Sequence, residues 1–437
     1  MLSRRELLAR AGAGFGALAF QGLASADAHF RARAKRVIFL FMHGGPSGVD
    51  TFDHKPLLLR DTGKPLPFAK PRVVFAQTGN LLRSPWEFRQ HGQSGAWVSE
   101  LFPNVARHVD KIAFVKSMHG SNPAHGGACL KIHTGSDTFV RPSLGAWVSY
   151  GLGSENRNLP GFLTINPTLG HGGVQNFGAG FLPAIHQGTY LGKDAAMPNT
   201  SNPEVGRDEQ RAQIDLLHDL ARRREVDAAA EARLASFELA FRMQATVPGV
   251  MDLSKESAAT KAMYGVDRKP TDGFGRQCLL ARRFAEAGVR FIQVTHGYWD
   301  QHSDLRKKHG ELAGEVDGPI AGLLQDLDNR GLLEDTLVIW GGEFGRTPVA
   351  EGKDGRDHNP HGFTWWMAGG GVKAGLSYGE TDDYGFYAAQ DKVHVHDLHA
   401  TVLHLLGLDH QRLTFRHAGR DFRLTDVEGQ VVNELLA

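Results

Sequence analysis

Short apolar runs recur along the chain, and glycine or polar residues with ligand chemistry follow several of them. They predict buried strands, because a strand covered on both faces shows no alternation of apolar and polar residues. Apolar residues at helical spacing fill the intervals between these runs. The predicted strands are 36–42, 112–116, 162–166, 289–295, 337–340 and 364–367, and the predicted helices are 99–109, 128–134, 273–287, 309–330 and 395–406. This alternation predicts an α/β fold, a doubly wound and mainly parallel sheet with helices on both faces.

One polar, helix-rich stretch interrupts the alternation. Residues 202–244 are rich in Ala, Arg, Glu and Leu, and they contain no glycine after Gly206. They predict one or two amphipathic helices. A partner-binding coil would have a similar composition, but no heptad repeat is sustained. We therefore expect a helical insertion at about 196–260 within a single domain that spans 29–437.

The first 28 residues predict a twin-arginine signal peptide. Arg4 and Arg5 precede an apolar run over 9–23 that is rich in Gly and Ala, and small residues around Ala26 offer cleavage sites. A membrane anchor is the alternative, but the run is short for a span. We expect an exported protein, periplasmic or extracellular, with no integral membrane segment after the signal is removed.

Composition narrows the function classes. The 49 Lys and Arg residues almost balance the 48 Asp and Glu residues. The body of the chain has no basic cluster, which argues against nucleic-acid binding. The two cysteines, Cys129 and Cys278, exclude a disulfide scaffold and leave one possible disulfide that cannot be deduced. The 22 histidines are many, and they cluster with Gly and Asp as a metal or phosphoryl site requires.

Candidate functional side chains follow four predicted strands. Parallel strands share one carboxyl edge, where we expect these groups to gather. Carboxylates and imidazoles together can bind a divalent metal. The structural alternative is a helix-capping glutamate with histidines in turns. The candidates are His43, Asn122, His125, Asp300, His302, Glu343, Arg346, His358 and His361. Asn122 and His125 precede and open a predicted helix, where free N–H groups favour an anionic group.

Four motifs resemble the bacterial family called domain of unknown function 1501, from about Val37 to the C-terminus. The family is similar to the alkaline phosphatase and sulfatase superfamily. That resemblance implies one or two divalent metals at strand ends, zinc first, with calcium, magnesium or manganese as alternatives. The motifs are His43-Gly44-Gly45-Pro46-Ser47 with Asp50-Thr51-Phe52-Asp53, Trp299-Asp300-Gln301-His302, Gly342-Glu343-Phe344-Gly345-Arg346-Thr347-Pro348 and Gly355-Arg356-Asp357-His358.

The resemblance also assigns roles, with departures. His125 stands where the superfamily carries a Ser, Thr or modified Cys nucleophile, and Phe344 stands where it carries a ligand histidine. The chain has no Cys-x-Pro-x-Arg sulfatase sequence and no obvious Ser or Thr nucleophile, although Ser121 and Thr134 are near. The metal ligands it implies are His43, Asp300, His302, Glu343 and either His358 or His361.

The sequence therefore favours an exported metal-dependent hydrolase of phosphate or sulfate esters. Its substrate would be an anionic ester or a sulfated or phosphorylated glycan. His125 would act as nucleophile or general base with Asn122 beside it, and Arg346 would pair with the anionic group. Two alternatives stay open: a non-catalytic exported protein that binds metal or glycan, and a structural helper without metal. Burying so many polar groups is costly, and this favours the hydrolase. The oligomeric state is not predicted.

Overall fold

The computed structural model describes residues 28–69, 77–193, 197–198, 204–223 and 228–437. Apart from Ala28, the predicted signal peptide lies outside these residues, as does part of the expected insertion. Within the described residues, no helix combines the length and apolarity that a bilayer span requires.

A large central sheet organises the described chain. Its strands are β1 (Arg36–Met42), β2 (Ile112–His119), β3 (Phe162–Ile165), β4 (Thr189–Leu191), β5 (Phe291–His296), β6 (Thr336–Gly341), β7 (Phe363–Ala368), β8 (Ser377–Tyr378) and β9 (Val393–His394). The order across the sheet is β8-β2-β7-β6-β1-β5-β3-β4, and β9 pairs with β2. β7 runs antiparallel to β2 and β6, whereas the other neighbouring pairs are parallel. The carboxyl ends of β1, β2, β5 and β6 therefore share one edge.

Burial on both faces explains the unbroken apolar runs. In β1, Ile38 and Leu40 pack into one hydrophobic cluster, while Val37 and Phe39 pack into another. Side chains alternate between the two faces of a strand, so these two clusters lie on opposite sides of the sheet.

Helices pack on both faces of the sheet and contribute to both clusters. They are α1 (Gly48–Thr51), α2 (Pro56–Arg60), α3 (His125–Thr134), α4 (Leu144–Leu152), α5 (Arg207–Arg223), α6 (Ala228–Met251), α7 (Ala258–Met263), α8 (Asp272–Glu286), α9 (Leu305–Asn329) and α10 (Val395–Leu405). Residues of α3, α4 and α10 join the cluster of Phe39, and residues of α6, α8 and α9 join that of Ile38. The predicted doubly wound, mainly parallel α/β fold is confirmed.

Short two-stranded sheets and 3₁₀ helices lie around the central sheet. The hairpin that matters most for the site pairs Gly345–Arg346 with His358–Asn359, and it sets Arg346 opposite His358. The other pairs are Thr78–Leu81 with Val349–Glu351, Phe88–His91 with Ala96–Ser99, Glu380–Thr381 with Ala388–Gln390, and Phe415–His417 with Arg420–Phe422. The 3₁₀ helices are Val105–Lys111, Gly173–Phe177, Ala184–His186, Leu253–Lys255 and Asn433–Leu435.

One local prediction is wrong, and the structure answers two questions that the sequence left open. The stretch 202–244 contributes to two helices, α5 and α6, and the two cysteines form no disulfide. The helix expected at 99–109 is instead a strand, Ala96–Ser99, followed by the 3₁₀ helix Val105–Lys111. Pro103 lies between them, and a proline disfavours helical geometry at the residue before it. In the stretch where an insertion is expected, Arg211 of α5 donates two hydrogen bonds to the Glu238 carboxylate of α6, at 3.0 and 2.7 Å. The two cysteines are buried and unpaired.

Candidate metal centre

The loop after β1 fits closely against the loop after β5. The His43 N–H donates to the His296 carbonyl at 2.9 Å, and the His43 carbonyl accepts from the Trp299 N–H at 3.1 Å. Gly44 has φ +114°, and a Cβ atom on it would lie 2.7–2.8 Å from the backbone of Trp299 and Asp300. Only glycine permits this approach, which brings the start of the chain's first motif next to Asp300.

Asp300, His302 and His358 form the centre of the site, here called the Asp300 triad. Asp300 Oδ1 lies 2.9 Å from His302 Nε2 and 3.1 Å from His358 Nε2, and the two Nε2 atoms are 3.0 Å apart. Metal bonds to N and O donors are about 2.0–2.2 Å long, which places donors on one ion about 3–4 Å from each other. The triad therefore has the spacing of one face of a metal coordination shell.

The hydrogen bonds of the Nδ1 atoms of His302 and His358 determine which ring nitrogen carries the proton. His302 Nδ1 lies 2.5 Å from Glu351 Oε2, and His358 Nδ1 lies 2.6 Å from the Pro123 carbonyl oxygen. An oxygen acceptor keeps the proton on Nδ1 and leaves a lone pair on Nε2, as in metal-bound histidines. Two lone pairs and a carboxylate oxygen then face one point, and they repel each other unless a metal cation, or a proton on one of the rings, lies between them.

Arg346 binds Asp300 and the backbone of the loop after β1. Its Nη2 donates to Asp300 Oδ1 at 2.6 Å and to the Gly44 carbonyl, its Nε donates to the Gly45 carbonyl at 3.0 Å, and its Nη1 donates to the Arg356 carbonyl at 3.2 Å. Its side chain is fully buried. The expected pairing of Arg346 with an anionic substrate does not suit this position, because substrate would have to replace these bonds. Arg346 orients Asp300 and the loop after β1.

His125 bridges two carboxylates. Its Nδ1 lies 2.6 Å from Glu343 Oε1, and its Nε2 lies 3.2 Å from Asp300 Oδ2. Burial alone would lower the pKa of His125, but the interactions with Asp300 and Glu343 outweigh it and raise this pKa to about 9. With this raised pKa, His125 is an imidazolium at neutral pH: its Nδ1 is hydrogen-bonded to Glu343, and its Nε2 faces Asp300 as an ion pair without a well-directed hydrogen bond. Neither nitrogen offers the free lone pair that the expected nucleophile or general base would need.

Glu343 lies deep in the site. Both its oxygens accept the Gly44 N–H, at 2.9 and 3.0 Å, so it does not cap a helix of its own. Burial would raise the pKa of Glu343, but the hydrogen bond from His125 and the charge of His43 lower it, so the carboxylate stays ionised. His43 Nε2 lies 3.0 Å from His171 Nδ1, and the ligand atoms of His43, His125 and His171 all lie within 4.8 Å of one another. This second group borders the Asp300 triad.

Two predicted site residues lie apart from the triad. Asn122 Oδ1 accepts the Ala124 N–H at 2.9 Å and Nδ2 donates to Asp137 at 3.1 Å, so it shapes the turn before α3. The His361 ring lies 5.5 Å from that of Tyr387, and His361 joins no metal-compatible group within the described part of the chain. Of the two alternatives for the last metal ligand, His358 and His361, only His358 therefore lies at the triad.

Three further residues at the site were missed or left unexplained by sequence reasoning. His171 comes from the glycine-rich stretch 167–193, which follows a predicted strand but gives no local signal of its own. Glu351 ends a short strand between two of the motifs and belongs to neither. The Phe344 ring centroid lies 4.5 Å from that of His358 and 4.9 Å from that of His125. It supplies an apolar wall where the resemblance implies a ligand histidine.

Comparisons with known proteins give a family and remote structural similarity. A family model described as "Protein of unknown function (DUF1501)" matches residues 34–436. No curated protein sequence matches the chain. Among solved structures, the lipoteichoic acid synthase LtaP from Listeria monocytogenes is similar at TM-score 0.39 and 10% identity, over 91% of this chain and 76% of that one.

Two other solved structures give comparable values. The PsFucS1 sulfatase from Pseudoalteromonas sp. has TM-score 0.38 and 13% identity, over 100% of this chain and 77% of the sulfatase. The alkaline phosphatase from the Antarctic bacterium TAB5 has TM-score 0.35 and 10% identity, over 85% and 98%. Likeness at this level carries no argument about activity, which has to come from the site.

Proposed function

We propose that this chain, which belongs to the DUF1501 family of proteins of unknown function, is a metal-dependent hydrolase of phosphate or sulfate esters. The observation that carries the proposal is the Asp300 triad, with donors 2.9–3.1 Å apart and both outer nitrogens held by oxygen acceptors. The motif resemblance is the support for phosphate and sulfate esters as the substrates. Export by the twin-arginine route is part of the same proposal and rests on residues 1–28.

The donor set suits a divalent metal of the zinc type. Two neutral imidazoles and one carboxylate are a common ligand set for zinc, and three donors on one face leave positions open for substrate. When bound, such an ion supplies Lewis-acid polarisation of an ester oxygen. The protein contributes the geometry, because Glu351, Pro123 and Arg346 each fix one member of the triad.

His125 is proposed as the proton donor. Its Nε2 points at the triad through Asp300, and its Nδ1 is held by the buried Glu343. A leaving oxygen that enters beside Asp300 can accept the Nε2 proton, after which Glu343 keeps the neutral ring in place through Nδ1. This role replaces the nucleophile or general base expected from the sequence.

A non-catalytic metal-binding protein is the second candidate. The observation that favours it is that His125 stands where the resemblance implies a Ser, Thr or modified Cys nucleophile. Cys129 lies near Glu343, but burial raises the pKa of its thiol well above the ordinary value. The next experiment separates the two candidates.

We expect the zinc-loaded chain to hydrolyse at least one of p-nitrophenyl phosphate, bis-p-nitrophenyl phosphate and p-nitrophenyl sulfate. His125→Gln should lower kcat by about 10²–10⁴-fold, the usual contribution of a positioned proton donor. The loss should be larger for an alkyl phosphate, because its leaving group needs a proton more than p-nitrophenolate does. Metal content, measured in parallel, should stay unchanged.

His417→Gln is the matched control, since His417 is exposed and lies in the C-terminal hairpin. If a fully metal-loaded chain leaves all these esters intact, the hydrolase proposal fails and the metal-binding candidate takes its place. A loss in His125→Gln that is equal for good and poor leaving groups would exclude the proton-donor role.

Glu351→Gln tests the support of the triad. Loss of the carboxylate weakens the hold on the Nδ1 proton of His302, so we expect metal affinity to fall by about 10–100-fold. Competition against a chromophoric chelator measures the affinity. Glu87→Gln, at an exposed glutamate far from the triad in sequence, should leave it unchanged. Equal affinities in both variants would show that Glu351 does not support a metal ligand.

A further inference from the structure

A separate group of ligand-type side chains, apart from the Asp300 triad and the histidines that border it, lies at the other end of α3. It consists of His394 at the end of β9, His396 in the first turn of α10 and Glu428 in the C-terminal tail, and one ligand atom from each lies within 4.8 Å of the others. His396 Nε2 lies 2.8 Å from the carbonyl oxygen of Gly135, which ends α3. A helix rises about 1.5 Å per residue, so about 15 Å of helix separates Gly135 from His125 at the Asp300 triad.

His396 presents a lone pair to this group. The Gly135 carbonyl keeps the proton on Nε2, so Nδ1 is the unprotonated nitrogen. Nδ1 is buried and has no hydrogen-bond partner of good geometry, and His396 as a whole is 2% exposed. The atom opposite it is Glu428 Oε2, at 3.2 Å, and the backbone of Thr425 adds another acceptor. A buried lone pair that faces a carboxylate is unfavourable unless a proton or a metal cation lies between them.

His394 completes the set. Its Nδ1 accepts the backbone N–H of His396 at 3.3 Å, so this nitrogen also carries a lone pair, and it lies 3.5 Å from the same Glu428 oxygen. A hydrogen bond of that length is weak and leaves the lone pair available to a stronger partner. Two imidazole nitrogens and one carboxylate oxygen again converge, with no residue shared with the Asp300 triad.

We propose that His394, His396 and Glu428 bind a divalent cation of the zinc type, which fastens the C-terminal tail to the start of α10. The tail is already placed for this role. The Glu428 N–H donates to the Thr425 carbonyl at 2.9 Å, and the Gln430 N–H donates to Asp397 Oδ1 at 2.8 Å. The Glu428 side chain is 56% exposed, so an ion reaches it from solvent.

Charges near the group act in both directions. Lys131, in the last turn of α3, opposes a cation. The partial negative charge at the C-terminus of α3 and the Glu428 carboxylate favour one.

The test uses the full chain with Asp300→Asn, in which the triad is disabled, dialysed to equilibrium against ZnCl₂. We expect it to retain a bound zinc, measured by mass spectrometry of the metal, and to show a Tm that rises with zinc. Adding Glu428→Gln should weaken this binding by at least about 10-fold and remove the Tm rise. Adding His396→Gln should do the same, and adding His417→Gln should change neither.

Glu428→Gln is the decisive variant, because Glu428 is exposed and its replacement should leave the fold intact. His396→Gln, in contrast, also removes the buried hydrogen bond from His396 to Gly135 and can destabilise the fold. Zinc binding by the Asp300→Asn chain that is indifferent to Glu428→Gln would overturn the proposal, as would no binding at all. The proposal does not rest on the hydrolase function. Failure of the triad would appear instead as equal zinc content in the wild-type and Asp300→Asn chains.

Discussion

Asp300→Asn should remove the metal from the triad, with a loss of affinity greater than about 100-fold, because the loss of a mere supporting residue already costs about 10–100-fold. Asp300 is the only carboxylate among the three donors, and its Oδ1 lies within 3.1 Å of both histidine nitrogens. Asparagine keeps an oxygen acceptor for Arg346, so the fold should survive. Metal content after exhaustive dialysis, with the far-ultraviolet circular dichroism spectrum as a check on folding, measures the effect.

The control for this variant comes from the loop that holds the triad. Asp354 is exposed, and its Oδ1 accepts the Asp304 N–H at 3.0 Å without contact with the triad. Asp354→Asn should leave the metal content unchanged. If Asp300→Asn binds metal as tightly as the wild type, the triad is an internal hydrogen-bond network in which a protonated His302 links Asp300 to Glu351.

Arg356→Met should lower the free energy of unfolding by about 3–5 kcal/mol, the usual effect of stranding one member of a buried ion pair. Arg356 Nε and Nη2 donate to the two Asp50 oxygens at 2.6 and 3.0 Å, and both side chains are completely buried. Arg356 also donates to the carbonyls of Thr347 and Leu82. Its removal leaves Asp50 as an uncompensated charge beneath the first motif. The urea midpoint of unfolding reports the change.

Two further variants serve as controls for the effect of Arg356→Met on stability. Arg416→Met breaks an ion pair whose side chains are 67% and 57% exposed, and it should have little effect because exposed pairs contribute little. Asp50→Asn combined with Arg356→Met should recover part of the stability, since no buried charge is left. A urea midpoint for Arg356→Met equal to that of the wild type would show that the pair does not support the fold.

The sequence reveals the sheet because its strands are buried on both faces. Continuous apolar runs such as 36–42 occur in few other settings, and the structure places that strand at Arg36–Met42 without change. Helices with a clear apolar stripe were found for the same reason: α8 is Asp272–Glu286, against the predicted 273–287. The spacing also predicts a helix across Pro103, where the structure has a strand and a 3₁₀ helix, because spacing carries no information about the break that proline makes.

The sequence also determines that polar groups follow strands at a shared edge. Parallel strands of one sheet end on the same side, so His43, His125, Asp300 and Glu343 had to approach each other once the topology was right. Periodicity cannot say more than this. It is blind to Glu351 and His171, which belong to no motif, and to Asp50, which reads as a turn residue but lies in a buried ion pair.

Only the tertiary structure decided which groups meet and what each one does. His358 and His361 are three residues apart, and the hairpin that sets His358 opposite Arg346 also carries it to Asp300. Arg346 became a buried support because three backbone carbonyls surround it. His125 became a protonated bridge because carboxylates from two different strand ends reach its two nitrogens. Such roles depend on the distances and orientations between side chains that are far apart in the chain, and the local sequence does not determine these.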